Sequence, residues 1–168
     1  MQDKPEVELS DEASERTWRA PPATQAELED FVPYLVNRVA AIGQAAQNRR
    51  LAEHGVSTVT LRTLSVLHIH DGLTVNEIAA RAFAEQSTAS RAIDTMVNAG
   101  LVERRVSTED QRRREVGLTA AGQALLDRCW PAMQAHYGVL TDGIDDAELA
   151  VFRRVLLRMI DNLRPADS

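Results

Sequence analysis

Apolar residues recur every three to four positions over most of this chain, the spacing that lines one face of a helix. Leu28, Phe31, Leu35, Val39, Ile42 and Ala46 form the first such series. Ahead of it Thr24-x-x-Glu27 is a capping box, Asp30 offers a second start with Pro33 tolerated in its first turn, and Gly55 marks the end. A second helix is predicted over residues 57–70, with Leu61, Leu64 and Leu67/His68 turned inward and Asp71-Gly72 closing it. Thr74-x-x-Glu77 is another capping box, opening a short helix with Val75, Ile78, Ala79 and Ala82 on one face. Ser87 is then expected to cap a helix that turns Ile93, Met96 and Val97 inward and stops at Gly100.

From residue 101 the period shortens to two. Val102, Arg104 and Val106, then Val116 and Leu118, alternate around the polar stretch 107–114, which reads as a β-hairpin with a charged tip. Thr119 caps a long helix to about residue 137, with a bend expected at Pro131. Asp145-x-x-Glu148 opens the last helix, with Leu149, Phe152, Leu156, Met159/Ile160 and Leu163 on its apolar face. Four helices, a hairpin and two more helices predict a mainly α fold with a small β-hairpin wing, a winged helix-turn-helix. The outer helices are more apolar than isolated surface helices need, which points to a partner chain packed against them. The expected organisation is an acidic, flexible arm over 1–23 and an N-terminal helical dimerisation region over 24–56. A winged helix-turn-helix follows over 57–118, then C-terminal dimerisation helices over 119–168.

Composition first argues against a nucleic-acid partner, since 25 acids against 19 bases give a net charge of −6 over 168 residues. Position reverses that. Residues 1–30 hold nine acids and three bases, so the rest of the chain is neutral overall. Lys4 is the only lysine. The other cations are arginines, whose planar fork suits phosphates and guanine edges, although genomic base composition accounts for the same number. Residues 104–114 concentrate five of them, Arg104, Arg105, Arg112, Arg113 and Arg114, against Glu109 and Asp110. A narrow cationic hairpin suits the minor groove, and a merely solvated turn is the alternative. Just before it, Gln86, Ser87, Thr88, Ser90 and Arg91 occupy the first turns of a predicted helix, where side chains reach base edges and phosphates. Helix capping alone needs one such hydroxyl, not three.

Residues 74–104, followed by Asp110-x-Arg112, five residues, and Leu118-Thr119-x-x-Gly122, resemble the MarR family of bacterial transcriptional regulators. The segment Ala99-Gly-Leu-Val-Glu-Arg104 matches the family's lead into the wing. The resemblance implies a homodimer joined by the first and last helices, bound to double-stranded DNA at a pseudo-palindromic operator, with repression as the usual outcome. It implies that Arg112 enters the minor groove and that Asp110 holds the wing in shape by pairing with Arg104. It also places Gln86, Ser87, Thr88, Ser90 and Arg91 where the family reads the major groove, with Arg113 and Arg114 adding charge to the wing.

Relatives of this kind often respond to a small aromatic or phenolic acid. Arg62, His68 and Trp130 offer an anion partner and an aromatic wall for one, with ordinary core or surface packing as the alternative. Cys129, the only cysteine, has Arg128 as its sole basic neighbour and is expected to be a buried, inert thiol. His68-x-His70 puts two imidazoles on different helix faces, so no metal site is expected. There is no glycine-rich phosphate loop, nucleophile elbow or ligand cluster, so neither catalysis nor a cofactor is expected. No apolar run approaches the length of a membrane span, and a cytoplasmic protein is expected. The rival reading is a winged-helix adaptor that docks an acidic protein on its arginines.

Overall fold

The computed structural model describes residues 20–107 and 110–164. Among them are seven helices and one antiparallel hairpin, in the order α1 (Gln25–Glu29), α2 (Val32–Ala52), α3 (Thr58–Ile69), α4 (Val75–Arg81), α5 (Gln86–Asn98), β1 (Val102–Val106), β2 (Arg114–Leu118), α6 (Ala120–Leu140) and α7 (Asp146–Leu163). The predicted mainly helical fold with its hairpin wing is what forms. Residues 1–19, which hold most of the expected acidic arm, lie outside the described residues, as does Glu109 of the hairpin.

Two compact units meet between Ala41 and Ile42, inside α2. In the first, Thr24 and Glu27 close the predicted capping box reciprocally, and the chain then breaks after five helical residues with Asp30 as the C-cap of α1. The first helical region is therefore two helices, and α2 carries Pro33 in its first turn, where the missing N–H costs nothing. Val32, Leu35, Val36 and Val39 are exposed along it.

The second unit is built on the winged helix-turn-helix. Leu51, Val56, Leu61, Leu64, Leu67, Leu73, Ile78, Ile93, Met96, Val102, Val116, Leu125, Leu126 and Cys129 form one buried cluster. Burying each large aliphatic side chain stabilises the fold by about 1.5–3 kcal/mol. Leu61, Leu64 and Leu67 face inward as predicted, whereas His68 is exposed, because it lies about 100° around α3 from Leu67. Gly55, at φ +67°, reverses the chain after α2, and Val56 N–H returns to Leu51 O at 3.1 Å. β1 and β2 pair from Val102↔Leu118 to Val106↔Arg114, and Leu73 adds a bridge to Val116.

The Leu118-Thr119-x-x-Gly122 motif has a plain mechanical meaning. Thr119 Oγ1 caps α6 by accepting from Gly122 N–H at 3.1 Å and donates to Gly100 O and Leu101 O. A Cβ at Gly122 would collide with Leu101 O and the Leu118 side chain. Only glycine lets α6 start so close to the end of α5. The helix then continues across Pro131 to Leu140. Asp145 and Glu148 form the predicted capping box of α7, in which no residue is buried.

Candidate nucleic-acid interface

α4 and α5 are joined by a tight turn through Ala82 and Phe83, the latter at φ +52°. Thr74 and Glu77 cap α4 reciprocally, as predicted. The start of α5 differs from expectation. Its N-cap is Glu85, which makes no side-chain cap, and Ser87 is the second helical residue. An extended backbone at Glu85 starts the helix two residues earlier than a cap at Ser87 would, which leaves the first-turn N–H groups without a side-chain acceptor. Gln86, Ser87, Thr88 and Arg91 are exposed, Ser90 is half-buried, and Ala89, Ile93 and Met96 anchor the opposite face in the core. Arg91 forms no ion pair among the described residues.

The five hairpin arginines divide into two kinds. Arg104 reaches back to α5, with Nη2 2.7 Å from Asp94 Oδ1. This corrects the expected Arg104–Asp110 pair. Arg104 lies in the strand stem opposite Val116, on a face turned to α5, whereas Asp110 sits in the tip. Asp110 supports the wing differently: its Oδ1 accepts from Arg112 N–H at 2.9 Å, and its carbonyl accepts from Arg113 N–H at 2.9 Å, closing the turn. Arg105, on the other face of β1, donates to Asp71. Arg113 Nη2 donates to Glu77 Oε2 at 2.7 Å, and its Nε lies 3.3 Å from Glu115 Oε1.

These contacts make a run of alternating charge, Asp71–Arg105–Glu115–Arg113–Glu77, from the turn after α3 to the first turn of α4. Two glycines clear the space for it. A Cβ at Gly72 would lie 2.8 Å from Glu115 Oε2, and one at Gly117 would lie 3.1 Å from Asp71 Oδ1. Glu77 also accepts from Thr74 N–H and Thr74 Oγ1, each at 2.8 Å. Those bonds, with the Arg113 charge beyond them, hold its carboxyl below the usual glutamate range. Arg112 and Arg114 are exposed and pair with no carboxylate among the described residues; Arg114 Nη1 is 3.4 Å from Gln111 O. Asp94, Asp71 and Glu115 were not singled out in the sequence. The clue to them is five arginines in one hairpin with acids at 71, 77, 94 and 115.

Arg62 and Trp130 line one groove of about 450 Å³ with Arg81, Phe83, Met133 and Tyr137. His68 does not join them. It lines a second groove of about 420 Å³ that shares Trp130, and its Nδ1 lies 2.7 Å from Gln123 Oε1. Because Gln123 donates its amide to Asp127 at 2.8 Å, its oxygen accepts from His68, which fixes the proton on Nδ1. Cys129 is fully buried, and burial pushes its thiol above the usual range. No group of three metal-ligating side chains occurs among the described residues, and no helix there is long and apolar enough to cross a membrane.

A family model described as MarR family matches residues 54–113, which run from the end of α2 to the wing. A MarR-family transcriptional regulator from Silicibacter pomeroyi of known structure is 37% identical, with a TM-score of 0.75, covering 86% of this chain and 99% of that one. Among curated proteins, the HTH-type transcriptional repressor IacR of Pseudomonas putida is 27% identical over 85% of this chain and 86% of its own length. The HTH-type transcriptional regulator PetP of Rhodobacter capsulatus is 27% identical over 70% of each. With the capped α4, the exposed first turns of α5, the arginine wing and the glycine joint at 122 all in register, this chain belongs to the MarR family of transcriptional regulators.

Proposed function

We propose that two copies of this chain, joined through α2 and α7, bind a pseudo-palindromic DNA operator and repress transcription from it. The observation that carries this reading is the pairing of an uncapped, polar, exposed start to α5 with a hairpin tip whose Arg112 has no acidic partner among the described residues. The first turns of α5 enter the major groove. Gln86, Ser87, Thr88, Ser90 and Arg91 meet base edges and phosphates, and the first-turn N–H groups face a phosphate. Arg112 enters the adjacent minor groove, with Arg114 on the backbone. A two-fold dimer presents the two α5 helices about 34–36 Å apart, one turn of B-DNA.

On this reading residues 57–118 form the DNA-binding region, with 24–56 and 119–168 supplying the dimer and 1–23 an acidic arm. The chain acts in the cytoplasm by binding alone, without catalysis, metal or cofactor. A small aromatic or phenolic acid is its effector. The groove of Arg62 and Trp130 supports this, since it sets two guanidinium groups, Arg62 and Arg81, among the rings of Phe83, Trp130 and Tyr137 with no carboxylate in its lining. His68 stands outside that groove and plays no part in it.

A band shift on duplexes selected from random sequence tests the DNA reading. Wild type should select a two-fold site and weaken steeply with salt, as phosphate neutralisation requires. Arg112→Ala should lose about tenfold in affinity. Equal binding by Arg112→Ala would remove the wing from the interface.

A further inference from the structure

We propose that Arg113 is a positioning residue that fixes the angle of the wing through Glu77, so that Arg112 meets the minor groove, and that it is not itself a DNA contact. This rests on the DNA-binding reading above. Three adjacent arginines at a hairpin tip look interchangeable, yet their surroundings differ. Arg112 is exposed. Arg113 is half-buried, its guanidinium held between Glu77 of α4 and Glu115 of β2. Turning it outward to DNA would leave the Glu115 carboxylate, whose side chain is only 14% exposed, with Arg105 Nε at 3.9 Å in place of the closer Arg113 Nε at 3.3 Å.

The anchor is itself fixed. Glu77 is locked by the capping box, accepting from Thr74 N–H and Thr74 Oγ1, so it holds Arg113 to a rigid first turn rather than to a swinging side chain. Arg113 is also the next residue after Arg112 and donates its N–H to Asp110 O at 2.9 Å, inside the turn that Asp110 closes. Displacing the Arg113 side chain therefore tilts the tip that carries Arg112. On the other face, the Arg104–Asp94 pair links the stem of the wing in β1 to α5. Gly72 and Gly117 border the charge run, and a Cβ at either would press on its carboxylates, at 2.8 Å from Glu115 Oε2 and 3.1 Å from Asp71 Oδ1.

Glu77→Gln is the informative substitution. Glutamine keeps the cap and removes the charge. Positioning predicts that Glu77→Gln weakens binding to the selected duplex about tenfold, the worth of one groove-inserted arginine, although it deletes a negative charge near DNA. Arg113→Gln should lose the same factor, and the double variant no more than either single one. Hydroxyl-radical footprints should lose the outer minor-groove protection while the central protection by α5 persists. If Arg113 contacts DNA directly, Glu77→Gln tightens binding by freeing it, and only Arg113→Gln weakens it; that result overturns the proposal. A loss spread evenly over the footprint, with a lowered melting temperature, also overturns it in favour of a general folding role. Absence of any footprint with the wild-type protein rejects the DNA reading instead.

Discussion

The winged lobe and the C-terminal helix treat their apolar residues in opposite ways. From α3 to the first half of α6 the large aliphatics are buried together, and Leu64, Ile78 and Ile93 have no exposed surface at all. Past Cys129 the burial fades. Tyr137, Val139 and Leu140 are exposed at the end of α6, and Val151, Phe152, Val155 and Ile160 are exposed along α7, where no residue is buried. The lobe is complete within one chain. α7 has the amphipathic pattern of a packed helix, yet nothing among the described residues buries it, and a second copy would supply that cover.

The largest effect should come from breaking α7. Phe152→Asp puts a charge on the stripe once in each subunit of a symmetric dimer, and an unpaired carboxylate in such an interface costs several kcal/mol. Sedimentation at micromolar concentration should show monomer, with helical circular dichroism from the lobe largely kept. Operator affinity should fall by about a hundredfold or more, because each half-site then binds alone. A variant that remains dimeric would mean that α7 is not the contact.

A smaller, opposite perturbation tests the lobe. Gly122→Ala leaves α7 untouched but drives a methyl group into Leu101 O and the Leu118 side chain. Since a backbone carbonyl cannot swing away, the joint between α5 and α6 must open, at a cost of about 3 kcal/mol, the upper end for overpacking. Urea unfolding should report that loss, with dimerisation preserved at low denaturant. An unchanged midpoint would show that the close approach at the motif's glycine is not what holds the lobe together.

What the sequence discloses follows the same division. The capping boxes at Thr24, Thr74 and Asp145 all form, because each joins residues three apart and needs no tertiary information. The inward series on α3 and α4 and the hairpin are equally local. Ser87 misled because a serine near a helix start looks like a cap, while the backbone at Glu85 began the helix earlier without one. The Arg104–Asp110 pair failed for a different reason. Which of five arginines meets which acid depends on strand register and on how α4 and α5 flank the hairpin, and neither can be read from spacing. The same holds for Arg62 and His68, which share α3 but open on different grooves.

One residue inside the lobe runs against its otherwise apolar interior. Thr63 is fully buried on α3, and its hydroxyl has no hydrogen-bond partner among the described residues. An unsatisfied hydroxyl costs about 1–3 kcal/mol of lost hydration, and valine has nearly the same shape with a methyl in its place. Thr63→Val should therefore stabilise the lobe by about 1 kcal/mol, the smallest of these effects and the only one of positive sign. The same urea titration measures it. Because the buried core of the lobe contains no residue of α7, the gain should appear equally in the wild-type background and in Phe152→Asp. A gain confined to the dimer would show that the two regions are not independent, and the contrast between them would have to be redrawn around a shared core.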